Sequence, residues 1–142
     1  MRDTNMRILL VKPDKEAFET EIKGDLISLQ ETVGGYIQAI YPFEDPVALI
    51  CNDESKLMGL PLNRALYDNE GRVYDIIAGD FFLTGLSQDN FSDLPDELME
   101  KYREHFKYPE IFIRSGNEII AMKQTEGQAE SITEKGISEP SL

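Results

Sequence analysis

Hydrophobic positions along this chain change period several times, and each change marks an element. Residues 6–11 form a short apolar run closed by Pro13, which predicts a first strand. Over residues 17–22 the pattern alternates strictly, with Phe18, Thr20 and Ile22 on one side and Glu19 and Glu21 on the other. That is the signature of a half-buried strand. From Asp25 the apolar residues move to helical spacing at Leu26, Leu29 and Val33, and Asp25 suits the N-cap or first turn. Gly34 and Gly35 follow this helix and precede a return to alternation. A phosphate-cradling glycine loop has the reverse order, strand before and helix after, and needs further glycines or a Gly-Lys-Ser/Thr that are absent here. The pair therefore predicts a helix C-cap, where glycine adopts a left-handed backbone without a Cβ clash.

Residues 36–41 alternate again, but neither face is strongly polar, which predicts an inner strand. Pro42, Glu44, Asp45 and Pro46 make a turn into the apolar run 47–51, close enough in sequence for the two runs to pair. Residues 56–66 carry Leu57, Leu60, Leu62 and Leu66 interrupted by Gly59 and Pro61, and no regular element is expected there. Asp68, Asn69, Glu70 and Gly71 faintly resemble a calcium loop but lack the further spaced ligands, so a hairpin turn is expected. Residues 73–86 supply one or two strands with a bend at Gly79. A second helix follows, capped by Ser92 or Asp93 with Pro95 in its first turn and a stripe of Leu94, Leu98, Tyr102 and Phe106. Tyr108 and Pro109 stop it, and residues 110–114 and 118–123 form strands about a turn at Ser115, Gly116 and Asn117. The expected architecture is α+β: a single domain over residues 6–124, with two principal helices on a mainly antiparallel sheet of about five to seven strands. Residues 1–5 are expected to be a flexible N-terminus and residues 125–142 a disordered acidic tail.

Charge changes this picture more than composition does. Among 142 residues, 14 Lys and Arg oppose 27 Asp and Glu, a net charge of −13. The tail holds four glutamates against one lysine, so most of the acidity belongs to the folded part. Such a surface repels phosphates and argues against direct nucleic-acid binding, while it attracts a basic partner. No apolar run is long enough for a signal peptide or a membrane span, so a cytoplasmic protein without membrane contact is expected. The single cysteine, Cys51, closes an apolar run and is expected in the core rather than as a nucleophile.

Candidate chemistry is sparse. The one histidine, His105, lies near the end of the second helix beside the buried stripe, and a surface position favourable to the helix dipole is expected. Asp75 and Asp80 interrupt apolar sequence and suit outward-facing strand positions. The six tyrosines have few basic neighbours and are expected in the core and at its rim rather than as a stacking platform. Asn63 and Arg64 stand between leucines, so they are either structurally paired inside the fold or contacts for a small ligand. No catalytic residue, metal or cofactor is expected, and the pattern fixes no oligomeric state.

Four segments together carry a family resemblance: LLVKP, LQETVGGYIQAIYPFEDPVALICN, GLPLNRALYD and DIIAGDFFLTGL. They resemble a small domain-of-unknown-function family of phages, plasmids and conjugative elements of Firmicutes, over most of the folded part. The resemblance implies a mobile-element accessory protein, without catalytic residues to transfer. Small acidic proteins of such elements include inhibitors of host defences, among them type II-A anti-CRISPR proteins similar to this family. The implied partner is then a basic host protein such as a Cas9-type nuclease. The candidate partner-binding surface is Asp89, Asp93, Asp96, Glu97 and Glu100, a run with no basic residue until Lys101. The alternatives are a small-molecule-binding or sequestering domain centred on Asn63 and Arg64, and an uncharacterised conjugation-associated protein.

Overall fold

The apolar run near the N-terminus becomes β1 (Asn5–Val11), and β2 (Phe18–Lys23) folds back against it in antiparallel register. A computed structural model describes residues 4–88 and 90–124, so Asp89 and the expected tail lie outside the described residues. After β2 come α1 (Leu26–Val33), β3 (Ile37–Ile40) and β4 (Val47–Asn52). The hairpin β5 (Leu62–Tyr67) and β6 (Val73–Ala78) precedes β7 (Phe81–Ser87) and the short β8 (Asn90–Ser92). α2 (Asp96–His105) and a final hairpin, β9 (Glu110–Ser115) with β10 (Glu118–Lys123), complete the described chain. The main sheet has six strands in the order β2-β1-β7-β4-β3, with β8 on β7, and every pairing is antiparallel. The chain is thus an α+β protein with a mainly antiparallel sheet.

Side-chain alternation gives the sheet two apolar faces. Met6, Ile8, Ala48, Ile50 and Phe82 pack beneath Leu29 and Val33 of α1. Leu9, Val11, Leu49, Phe81 and Leu83 point the other way, toward Met99, Tyr102 and Phe106 of α2 and toward Leu66 and Ile77 of the β5–β6 hairpin. The central strands β1, β4 and β7 are therefore apolar on both sides, which explains why their sequences lack clean alternation. Phe81, Phe82 and Leu83 are wholly buried, and each contributes about 1.5–3 kcal/mol of transfer free energy. Cys51 is buried within the same core.

The two glycines that end α1 do different work. Gly34 is left-handed at φ 79°, and its N–H donates to Gln30 O at 2.8 Å, as a C-cap requires. At Gly35 a Cβ would lie 2.8 Å from Nδ2 of Asn52. That amide occupies the space because Nδ2 donates to Val33 O at 3.1 Å while Oδ1 accepts from Glu54 N at 2.8 Å. At the other end, Asp25 caps α1 by accepting from Ser28 N. The turn after β5 has Gly71 at φ 80° and Asp68 accepting from Glu70 N and Arg72 N, a hairpin turn as expected.

Several expectations are corrected. β3 is an edge strand, not an inner one: its uncharged sequence reflects burial of Ile37, Ala39 and Ile40 against the core while one margin stays open. A strand, β5, occupies the leucine-rich segment where no element was expected, because Gly59 and Pro61 belong to the preceding turns and the strand begins at Leu62. Leu26 is exposed rather than part of the α1 stripe. In α2, Met99 is buried and Leu98 only half so, and neither Ser92 nor Asp93 caps the helix. Pro95 stands at the cap position, Ser92 is in β8, and the Asp93 carboxylate accepts from Arg7 N at 2.9 Å instead. β1 begins at Asn5, one residue before the expected boundary, and Thr4 O accepts from Gly24 N.

Candidate functional site

Asn63 and Arg64 settle into the interior. Both are completely inaccessible, and the guanidinium is spent on backbone oxygens. Nε and Nη2 donate to Phe106 O at 3.1 and 3.0 Å, and Nη2 also donates to Lys15 O at 2.8 Å. Nη1 donates to Lys12 O, to Asn63 O and, at 2.9 Å, to Asn63 Oδ1. The Asn63 amide in turn donates to Val11 O and Gly79 O. One side-chain pair thereby ties the end of β1, the loop after it, the bend at Gly79 and the end of α2. Burial pulls the Arg64 pKa down to about 10, opposed by the Glu110 carboxylate, so the cation persists at neutral pH. With all five guanidinium N–H directions occupied, the structural alternative is the one this pair realises.

The acidic candidates gather at the start of α2. Asp96, Glu97 and Glu100 are exposed there, beside Asp93 in the connector from β8. Arg7 of β1 reaches two of them, Asp93 through its backbone N–H and Asp96 through its guanidinium. Its Nη2 meets Asp96 Oδ1 and Glu19 Oε2, both at 2.9 Å, and its Nε donates to Glu19 at 3.0 Å. These two carboxylates raise the Arg7 pKa still further. Through Arg7, the outer face of β2, with Glu19 and Glu21, joins the first turn of α2 in one surface. Asp96 remains 84% exposed, so the ion pair leaves its outer oxygen to solvent. Sequence reasoning missed Glu19, Glu21 and Arg7 as members; a single arginine inside the run MRILLV was the available signal.

At the other end of α2 lies a cleft of about 390 Å³ between the 42–45 turn and the tip of the β5–β6 hairpin. Asp45 Oδ2 accepts from Lys101 Nζ at 2.6 Å and from Tyr102 Oη at 2.7 Å, which holds its carboxyl below the usual carboxylate range. Burial, followed by the same carboxylate, raises the Tyr102 phenol. Burial beside Glu110 pushes Tyr67 up to about 12. His105 is exposed as expected, but it packs edge-on against Phe106, Phe43 and Tyr102. Its pKa falls through partial desolvation and through Lys123 and Lys101. Tyr36, Tyr41 and Tyr74 are exposed, while Tyr102 is buried. A wider groove of about 860 Å³ runs between β6 and β10, lined among others by Tyr74, Ile76, Ile119 and Ile120. Asp75 and Asp80 face outward and pair with Lys56 and Lys12. Among the described residues no three His, Cys, Asp or Glu side chains gather as metal ligands, and no helix is long and apolar enough to cross a membrane.

A family model, domain of unknown function DUF3846, matches residues 6–107. The chain belongs to the DUF3846 family. No curated protein and no solved structure matches it. The DUF3846 segment contains the main sheet, both helices, the Arg64 anchor and the acidic surface, whereas the β9–β10 hairpin lies beyond it. The hairpin is nevertheless tied to the DUF3846 domain by Glu110, whose Oε1 accepts from Ala65 N at 3.1 Å.

Proposed function

We propose that this DUF3846 protein is a non-enzymatic accessory protein of a mobile genetic element, acting in the cytoplasm as an acidic inhibitor of a host nucleic-acid-binding defence protein. The implied target is a Cas9-type nuclease, whose positively charged channel holds a heteroduplex through its backbone. The observation that supports this reading is the surface at the start of α2, where exposed Asp93, Asp96, Glu97 and Glu100 are joined to the Glu19 and Glu21 face of β2 by Arg7, whose guanidinium pairs with Glu19 and Asp96. Carboxylates held by a helix and a strand occupy a basic channel without the ordering cost of a flexible acidic segment. Arg7 fixes the relative position of the two elements, so removing it should disperse the surface rather than increase its affinity.

The test is a cleavage assay with a purified, guide-loaded type II-A nuclease. The protein should block cleavage, and the combined variant Asp96→Asn, Glu97→Gln, Glu100→Gln should lose at least about tenfold in potency. Equal inhibition by the variant, or none by either protein, refutes the reading. A small-ligand role would rest on the groove between β6 and β10 rather than on Arg64. A thermal shift with nucleotides that Ile120→Glu abolishes would favour it.

A further inference from the structure

The cleft beside the C-terminal half of α2 is lined by five aromatic side chains, and the acidic surface at the start of that helix involves none of them. Phe43, Tyr102 and His105 form one ring cluster. Their centroids lie 4.5 Å apart for Phe43 and Tyr102, 6.1 Å for Phe43 and His105, and 6.2 Å for Tyr102 and His105. Tyr67 and Tyr74 line the same cleft from the β5–β6 hairpin, and among the described residues neither packs on another ring. Tyr74 is 54% exposed. The 42–45 turn adds the carboxylates of Glu44 and Asp45. Aromatic faces carry negative potential and attract cations, most strongly where water is partly excluded. The chain already shows this attraction: Lys101 Nζ lies 5.4 Å from the Tyr102 ring centroid while it donates to Asp45.

Hydrogen bonding decides which kind of cation fits. A primary ammonium or a guanidinium needs an acceptor for each N–H that leaves water. The cleft has few to spare: Asp45 Oδ2 already accepts from Lys101 and from Tyr102 Oη, and Tyr67 is hydrogen-bonded to Glu110. An alkylated ammonium spreads its charge over methyl groups and asks only for ring faces and a nearby carboxylate. We propose that this cleft binds a quaternary ammonium group, seated between Tyr67 and Tyr74 on one side and the Phe43, Tyr102 and His105 cluster on the other, with Asp45 as counter-charge. Its volume of about 390 Å³ suits one small head group. Lys101 is the built-in competitor for Asp45. Its side chain is 60% exposed, and an exposed ion pair contributes little, so a ligand displaces it at small cost. The net charge of −13 draws any cation toward the molecule, while the rings select the alkylated one.

The test is an NMR titration of the nitrogen-labelled full chain with three probes. These are choline, its neutral isostere with a tert-butyl group in place of trimethylammonium, and a short peptide carrying trimethyl-lysine. Choline should shift the amides of Tyr67, Tyr74, Lys101 and His105 saturably, with a Kd of about 1 mM or below, and the neutral isostere should bind at least about fivefold more weakly. The same shifts from the peptide alone support the site and place the ammonium group on a protein side chain rather than on a free small molecule. Tyr74→Ala, at an exposed ring, should weaken binding at least about fivefold, whereas Tyr74→Phe should retain it. Lys101→Met should tighten binding by about threefold, because the competitor for Asp45 is gone. Asp96→Asn, on the acidic surface at the other end of α2, should leave the affinity within about twofold, which separates the cleft from the general pull of the net charge. Saturable shifts from neither cation, equal binding of the neutral isostere, or undiminished binding by Tyr74→Ala overturns the proposal.

Discussion

Arg64 shows how one buried cation can hold a fold without a carboxylate in contact. Its donors satisfy carbonyls of Lys12, Lys15 and Phe106, groups at chain reversals that no sheet or helix partner reaches. Arg64→Ala strips these donors from the Lys15 and Phe106 oxygens, leaves Lys12 O only the Lys15 N–H, and opens a cavity, and should cost about 3 kcal/mol or more in a urea titration. Arg64→Lys should recover little, since one ammonium cannot span the same three carbonyls. His105 gives a pH signature. Its folded pKa lies below the ordinary value of 6.5, so the unfolded chain binds the proton more readily. Stability is complete above the unfolded value and is lost as pH falls through the lowered folded one. The melting temperature should therefore decline below about pH 6.5, and the difference between wild type and His105→Gln should isolate this component. Sequence put His105 at the surface beside the α2 stripe and left Arg64 between a structural and a ligand role; it could not show that Arg64 reaches the carbonyls of Lys12, Lys15 and Phe106 or that Phe43 packs on His105, because those contacts join residues far apart in the chain.

Elements were more legible than contacts. Asp25, Gly34 and the strict alternation in residues 18–22 each act through local geometry, and α1 and β2 stand where those signals put them. β5 was hidden because its alternation is broken by Asn63 and Arg64, polar residues whose burial depends on partners supplied by β1 and α2. The edge position of β3 was hidden for a related reason: a strand buried on its faces looks inner whether or not a neighbour joins its margin. The Gly34–Gly35 pair separates local from tertiary demands experimentally. Gly34→Ala meets open space and should cost about 1 kcal/mol, from its left-handed backbone alone. Gly35→Ala displaces the Asn52 amide, so its cost should shrink in an Asn52→Ala background while that of Gly34→Ala stays additive. A double-mutant cycle by chemical denaturation reads both.

At the scale of the whole molecule, charge and fold are nearly independent. The carboxylates at the start of α2 are exposed, so Asp96→Asn, Glu97→Gln and Glu100→Gln together should move the melting temperature by no more than about 3 °C. The acidity was plain in the composition, and four of the surface residues, Asp93, Asp96, Glu97 and Glu100, were named from the run before Lys101. What joins them to Glu19 and Glu21 is the packing of α2 against β1 and β2 through Arg7, which periodicity does not encode. The most direct test of an acidic inhibitor is its affinity for a purified Cas9-type nuclease, measured by biolayer interferometry at about 50 and about 300 mM salt. Wild-type binding should weaken at least about tenfold over that range, and the triple amide variant should bind weakly at both. Salt-independent binding, or equal affinity of the variant, would contradict the claim that this surface recognises a basic channel.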